Sequence, residues 1–141
     1  MIDVRPARSD DRPALSVIQS ATLSDPNPDL LAAAVSGPLC CLVAVDAGPV
    51  GYLLAIRDDE RAYLPELVVA PDRQNEGIGT TLLSAGCDRL EADGIDAVRV
   101  TARASDNRAR RFYEQRAFET VERVPGHYSD GTAGIVYERR L

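Results

Sequence analysis

Lysine and tryptophan are absent from this 141-residue chain, and histidine and methionine occur once each. Its positive charge comes from 16 arginines, set against 22 aspartates and glutamates, for a net charge of −6. Without a basic footprint, non-specific nucleic-acid binding is disfavoured. The acidity suits cationic partners such as amines; it also resembles the composition of proteins from salt-loving organisms, in which case it says nothing of a partner. No apolar run approaches the roughly 20 residues that a membrane helix needs. Met1-Ile2-Asp3-Val4-Arg5 is no signal peptide, so a cytoplasmic protein without a membrane partner is the expectation. Cysteine is sparse. Cys40 and Cys41 are neighbours on an apparent strand, pointing to opposite faces, and Cys87 falls on a helical segment. That spacing makes neither a metal site nor a disulfide framework, so the three read as small apolar fillers and no metal is expected.

The most informative stretch runs from Leu64 to Leu83. Leu67, Val68, Val69 and Ala70 form a short apolar run rich in β-branched residues, which predicts a buried strand. Pro71 ends it, and Gly77-Ile78-Gly79-Thr80 opens a segment with apolar residues at Ile78, Leu82, Ala85 and Leu90, near helical spacing. Strand, glycine loop and helix start follow in order. A helix N-terminus presents unpaired N–H groups and the positive end of the macrodipole, and glycine lets a ligand come close. Such a corner suits a phosphate or pyrophosphate. A dinucleotide fingerprint would need Gly or Ala where Leu82 stands, and a Walker A loop would need a lysine.

Taken in order, Ile2 to Arg5 alternates as a strand, and Ser9 or Asp10 is placed to cap a helix with Leu15, Val17, Ile18 and Ala21 on its apolar side. Ser24 to Pro28 is a rigid break, Asp29 to Val35 a short helix closed by Gly37-Pro38, and Leu39 to Val45 pairs with Val50 to Ile56 across Asp46-Ala47-Gly48-Pro49. The central strand starts near Ala62, with Pro65 at a bulge or an unpaired edge. After the central helix and Asp93-Gly94 come a strand from Ala97 to Ala102 and a helix capped by Asp106. That helix carries Ala109, Phe112, Tyr113 and Arg116 on one side. Strands at Phe118 to Val124 and Ile135 to Glu138 flank a loop holding His127. With no repeats, residues 1–141 make one mixed α/β domain of order β-α-α-β-β-β-α-β-α-β-β, with hairpins, not a doubly wound sheet.

Two segments carry a family resemblance. Gln74-Asn75-Glu76-Gly77-Ile78-Gly79 is similar to the Gln/Arg-x-x-Gly-x-Gly/Ala signature of the GNAT N-acetyltransferases, preceded by Glu66 to Pro71, which resembles their fourth strand. Asp106 to Phe118 resembles the segment Asn-x-x-Ala-x-x-Phe/Leu-Tyr-Glu-x-x-Gly-Phe, departing at Asp106 (Asn107 stands one place late) and at Ala117. The resemblance implies a GNAT-like fold in which the fourth and fifth strands splay apart for pantetheine. It implies acetyl transfer from acetyl-CoA to an amine, with Leu67, Val68 and Val69 pairing with pantetheine. Gln74, Asn75, Glu76, Gly77, Ile78, Gly79 and Thr80 would hold the pyrophosphate, with Asp106 and Asn107 nearby. Arg73, Arg108, Arg110 and Arg111 are candidates to offset the charge of CoA, and a homodimer is common in the family.

Tyr113 matches the family tyrosine that gives a proton or hydrogen bond to the departing thiolate, while Phe112 reads as core. Glu66 is the candidate base, with a surface carboxylate as the other reading. Deprotonating a lysine-like amine at pH 7 costs about 4.6 kcal/mol, but an α-amine only about 1.4, so an α-amine can manage with a water relay. The ribosomal-protein alanine acetyltransferases carry a glutamate on the fifth strand where this chain has Thr101, yet His127 to Gly131 resembles their tail. The acceptor expected is therefore a small primary amine. A protein N-terminus, or a non-catalytic acyl-CoA-binding domain, is the alternative.

Overall fold

A computed structural model describes residues 1–23, 26–36 and 40–141. Seven strands and four helices follow in the expected order: β1 (Asp3–Pro6), α1 (Arg12–Thr22), α2 (Pro28–Ser36), β2 (Cys40–Val45), β3 (Pro49–Arg57), β4 (Arg61–Val69), α3 (Ile78–Ala92), β5 (Ala97–Arg103), α4 (Asn107–Glu114), β6 (Glu119–Val124) and β7 (Gly134–Arg140). Short 3-10 turns at Ser9–Asp11 and Pro71–Arg73 add to it. Ser24-Asp25 of the expected break, Gly37-Pro38 and Leu39 lie outside the described residues.

The strands form one sheet in the order β1-β2-β3-β4-β5-β7-β6. Neighbours are antiparallel except β4 and β5, which run parallel. The alternation of β2 sorts its side chains between two layers. Leu42 and Ala44 join Leu53, Leu82, Leu83, Cys87, Val98 and Val100 on the α3 side. Cys41 and Val43 join Leu15, Ile18, Leu31, Tyr52 and Leu54 on the α1–α2 side. Helices on both faces are why β2 and β3 read as continuous apolar runs rather than alternating ones. The neighbouring cysteines do point to opposite layers, and burial pushes the Cys41 thiol up to about 12.

The start of α1 differs from expectation. Neither Ser9 nor Asp10 caps it; Asp11 precedes it, and its carboxylate turns back to accept from the Arg8 N–H (2.8 Å) and from Arg5 (2.7 and 2.9 Å). The buried stripe also differs. Val17 is 68% exposed and Ala21 is exposed, while Gln19 is buried with Leu15 and Ile18. Leu15, Ile18, Gln19 and Thr22 stand at i, i+3, i+4 and i+7, so two polar residues occupy the inward stripe that the apolar pattern assigned elsewhere.

Pro65 resolves into both features a missing N–H allows. Across β3 the register passes from Leu54↔Glu66 to Ile56↔Tyr63, so Leu64 and Pro65 together face Ala55 in a bulge. Towards β5 the pairing runs from Arg61↔Ala97 to Leu64↔Val100 and stops, while β5 continues against β7 as far as Arg103↔Gly134. β4 and β5 therefore fork just past Pro65. The bulge also reverses the alternation: Ala62 and Leu64 face the α3 layer, whereas Val68 faces the α1–α2 layer.

Candidate active site

A cavity of about 490 Å³ opens from the fork to the N-terminus of α3. One wall is the end of β4, at Leu67, Val68 and Val69. Beyond Leu64 this segment has no β5 partner, as an extended ligand that pairs with its backbone would require, although the Val69 carbonyl already accepts from Gln74 Nε2 at 3.2 Å. The far end is the glycine loop. Asn75 (φ 65°) and Gly77 (φ 82°) hold the left-handed conformation that turns the chain into α3, and no side chain caps that helix. Its first N–H groups are thus available to an anion, aided by the macrodipole. The loop runs close to α4: a Cβ at Gly79 would make ordinary contact with the Phe112 ring, at 3.5 Å.

Helix α4 forms the opposite wall through Asp106, Arg108, Ala109, Phe112, Tyr113 and the following Arg116. Asp106 caps it, its Oδ1 accepting from the Ala109 N–H at 3.0 Å, the same local task that asparagine performs. Two arginines clasp α4 to the loop. Arg108 donates to Gln74 Oε1 (3.1 Å) and Asn75 Oδ1 (2.7 Å). Arg116 donates to Thr80 Oγ1 (2.7 Å) and the Phe112 carbonyl (2.8 Å), with its guanidinium 3.9 Å above the Phe112 ring. Arg73 also lines the cavity but is paired with Asp46 (2.8 Å) and Glu76 (3.0 Å). That pairing offsets the charge of Glu76 beside the loop.

Of the expected cofactor residues, all but Glu76 and Asn107 line this cavity. Arg110 and Arg111 do not. Arg110 is drawn away to Tyr137 Oη (3.1 Å) and the Ala104 carbonyl (3.1 Å), and Arg111 is exposed on the outer side of α4. Phe112, read as core, packs against the core and also lines the cavity. Arg116 and Thr22 were missed. The i+7 spacing from Ala109 was the available signal for Arg116; Thr22, one turn beyond Gln19 in α1, had none.

Tyr113 sits against Phe112 (ring centroids 5.3 Å apart), Phe118 (5.4 Å) and Tyr137 (6.1 Å). Burial pushes its hydroxyl above the ordinary tyrosine value, and Asp106, Tyr128 and Tyr63 add to the effect. The group therefore keeps its proton at neutral pH, as a proton donor must. At the base of the fork Tyr63, also missed in the sequence, donates to Thr101 Oγ1 at 3.1 Å and ties β4 to β5. His127 is exposed, yet it packs on Gly134, where an added Cβ would lie 3.1 Å from its ring and 2.9 Å from the Thr101 methyl.

Glu66 is no surface carboxylate. It is 7% exposed, its Oε1 accepting from Tyr52 Oη (2.7 Å) and Gln19 Nε2 (3.0 Å), and it does not line the cavity. No set of three or more metal-ligating side chains is gathered among the described residues.

The geometry asks for a ligand with an extended amide-bearing arm and a phosphate end, and pantetheine and pyrophosphate supply both. Over the whole chain the fold matches the ribosomal-protein-S18-alanine N-acetyltransferase from Escherichia coli, with a TM-score of 0.91 at 23% identity, covering 100% of this chain and 94% of that one. It also matches Arabidopsis thaliana NAA60 in complex with acetyl-CoA, with a TM-score of 0.89 at 19% identity, covering 100% and 99% of the two chains. An uncharacterized N-acetyltransferase of Methanocaldococcus jannaschii is 28% identical over 145 residues, 94% of this chain and 88% of its own length. The sequence profile of the acetyltransferase (GNAT) family matches residues 5–118, and the chain belongs to that family as an N-acetyltransferase that draws its acetyl group from acetyl-CoA.

Proposed function

We propose that the acceptor is an α-amine, the N-terminus of a peptide or protein, attacking the thioester directly in a ternary complex. This reverses the order of preference between the two amine classes that composition favoured. The observation that carries it is the chemistry at the fork. Tyr63 and Thr101 offer neutral hydroxyls there, and the nearby carboxylate, Glu66, is turned into the protein and engaged by two donors. None of these three groups offers a strong base to strip a lysine-like ammonium. An α-amine loses its proton at a cost of about 1.4 kcal/mol at pH 7, within reach of water alone.

In this reading the amine nitrogen bonds to the acetyl carbon, the carbon–sulfur bond breaks, and the thiolate takes the Tyr113 proton. The amine's surplus proton leaves through water held near Tyr63 and Thr101. The likeness in fold to the ribosomal-protein-S18-alanine N-acetyltransferase supports it. Thiol release from acetyl-CoA should be measured over short peptides, amino acids, polyamines and aminoglycosides, at low and molar salt. Peptides should turn over with the highest kcat/KM. Preference for polyamines, which the net charge of −6 would attract, would return the assignment to a small primary amine.

A further inference from the structure

Three polar side chains on three elements meet behind the end of β4. Gln19 of α1, Tyr52 of β3 and Glu66 of β4 are 1%, 0% and 7% exposed. Gln19 Nε2 donates at once to Glu66 Oε1 (3.0 Å), Glu66 Oε2 (3.2 Å) and the Asn27 carbonyl (3.0 Å). Tyr52 Oη donates to Glu66 Oε1 at 2.7 Å. Asn27 in turn caps α2, its Oδ1 accepting from the Leu30 N–H at 3.0 Å. Both hydrogen-bonding neighbours of the Glu66 carboxylate are thus donors, and they join the end of α1 and the start of α2 to β4. Thr22, one turn past Gln19 on the same side of α1, lines the cavity.

The bulge at Leu64-Pro65 makes this possible. Without it the strict alternation of β4 would keep Glu66 on the face of Leu64, against α3, where Gln19 and Tyr52 could not reach it. A buried polar residue in α1 is costly unless its hydrogen bonds are met. Gln19 meets them by holding Glu66 and Asn27.

We infer that Glu66, Tyr52 and Gln19 form a positioning latch that sets the α1–α2 wall of the acceptor site, and that Glu66 is not the proton acceptor of the reaction. The latch fixes how close Thr22 and Asn27 stand to β4, and so fixes which acceptors fit. Its effect belongs to acceptor binding. Neither acetyl-CoA binding at the glycine loop nor the proton transfer passes through it. The inference rests on the acetyl-transfer reading but not on the choice of a peptide, because any acceptor must pass this wall.

The test is steady-state kinetics of Glu66→Gln, Tyr52→Phe, Gln19→Met and the Glu66→Gln/Tyr52→Phe pair, using whichever acceptor of the panel turns over best. Each single variant should raise the acceptor KM about tenfold, the size of one lost hydrogen bond to a charged group. kcat should hold within about twofold, and the affinity for acetyl-CoA, followed by the rise in Tm it causes, should not change. The pair should lose little more than either single variant, since both break the same latch. The acid limb of kcat/KM against pH should keep its position. A fall in kcat of about 100-fold in Glu66→Gln, with loss of that limb and a silent Tyr52→Phe, would make Glu66 the base and overturn the inference. Additive effects or an unmoved acceptor KM would overturn it too. If Glu66→Gln fails to fold, Tyr52→Phe and Gln19→Met decide alone, because the latch requires both to move KM. A panel in which small amines outrun peptides would reject the proposed acceptor class and leave this test standing.

Discussion

In the proposed reaction Tyr113 gives its proton to the departing thiolate, and its surroundings suit that role. Its ring is wedged among Phe112, Phe118 and Tyr137, which fixes the direction of the hydroxyl without engaging it. Tyr113→Phe keeps those contacts and removes only the proton, so kcat should fall by about 100-fold or more with little change in either KM, measured as thiol release at saturating substrates. The raised value of the hydroxyl means that it stays protonated, so no alkaline limb should appear below about pH 10. The acid limb belongs to the acceptor: with an α-amine, kcat/KM should rise with pH and level off near pH 8. A limb that continues to rise past pH 9 would identify an alkyl amine. At this scale Tyr113 was legible from its motif, whereas Glu66 was legible only as an acid near the fork. The partners that decide its role lie 14 and 47 residues away, and no local pattern ties them together.

Element ends carry the next set of consequences. Asp11, beside α1, is held below the ordinary carboxylate range by its hydrogen bonds to Arg5, against the opposing effect of burial. A carboxyl with a lowered folded pKa stabilises above its unfolded value, near 3.9, and loses that contribution as pH falls through the folded value. Asp11→Asn should therefore cost about 1–2 kcal/mol at pH 7 and flatten the acid side of the stability curve, read from urea unfolding between pH 2 and 7. Ala117 leaves α4 at φ 67°, where the family pattern has glycine. Relief of the left-handed strain, about 1–2 kcal/mol, exceeds the extra chain entropy of glycine, so Ala117→Gly should stabilise by about 0.5–1 kcal/mol. Arg116 clasps α4 to Thr80 from just beyond the helix. Arg116→Met should raise the KM for acetyl-CoA about tenfold and leave the acceptor KM in place, the converse of the latch variants. Helix and strand positions were legible to within a few residues from periodicity and from Pro and Gly signals. The inward face of α1 was not. A buried glutamine obeys a partner in β4 rather than the apolar stripe.

For the whole molecule, charge and ligand act on the same stability. With 22 acidic residues against 16 arginines, self-repulsion opposes the compact state and salt screens it. Tm should rise with KCl into the molar range, and a flat response would reject the halophilic reading of the composition. Acetyl-CoA should raise Tm further at any fixed salt, by an amount set by its concentration over its Kd.

The order of elements, the glycine corner and the catalytic tyrosine candidate were determined by the sequence, because each rests on contacts within one turn or one strand. The fork was only hinted at by Pro65. A missing N–H says that pairing is interrupted but not on which side, and here it is interrupted on both. Tertiary structure alone decided the face on which Glu66 lies. One extra residue in β4 reverses every side chain beyond it, and only the register against β3 reveals that residue. The same register turns the candidate base inward, against Tyr52 and Gln19.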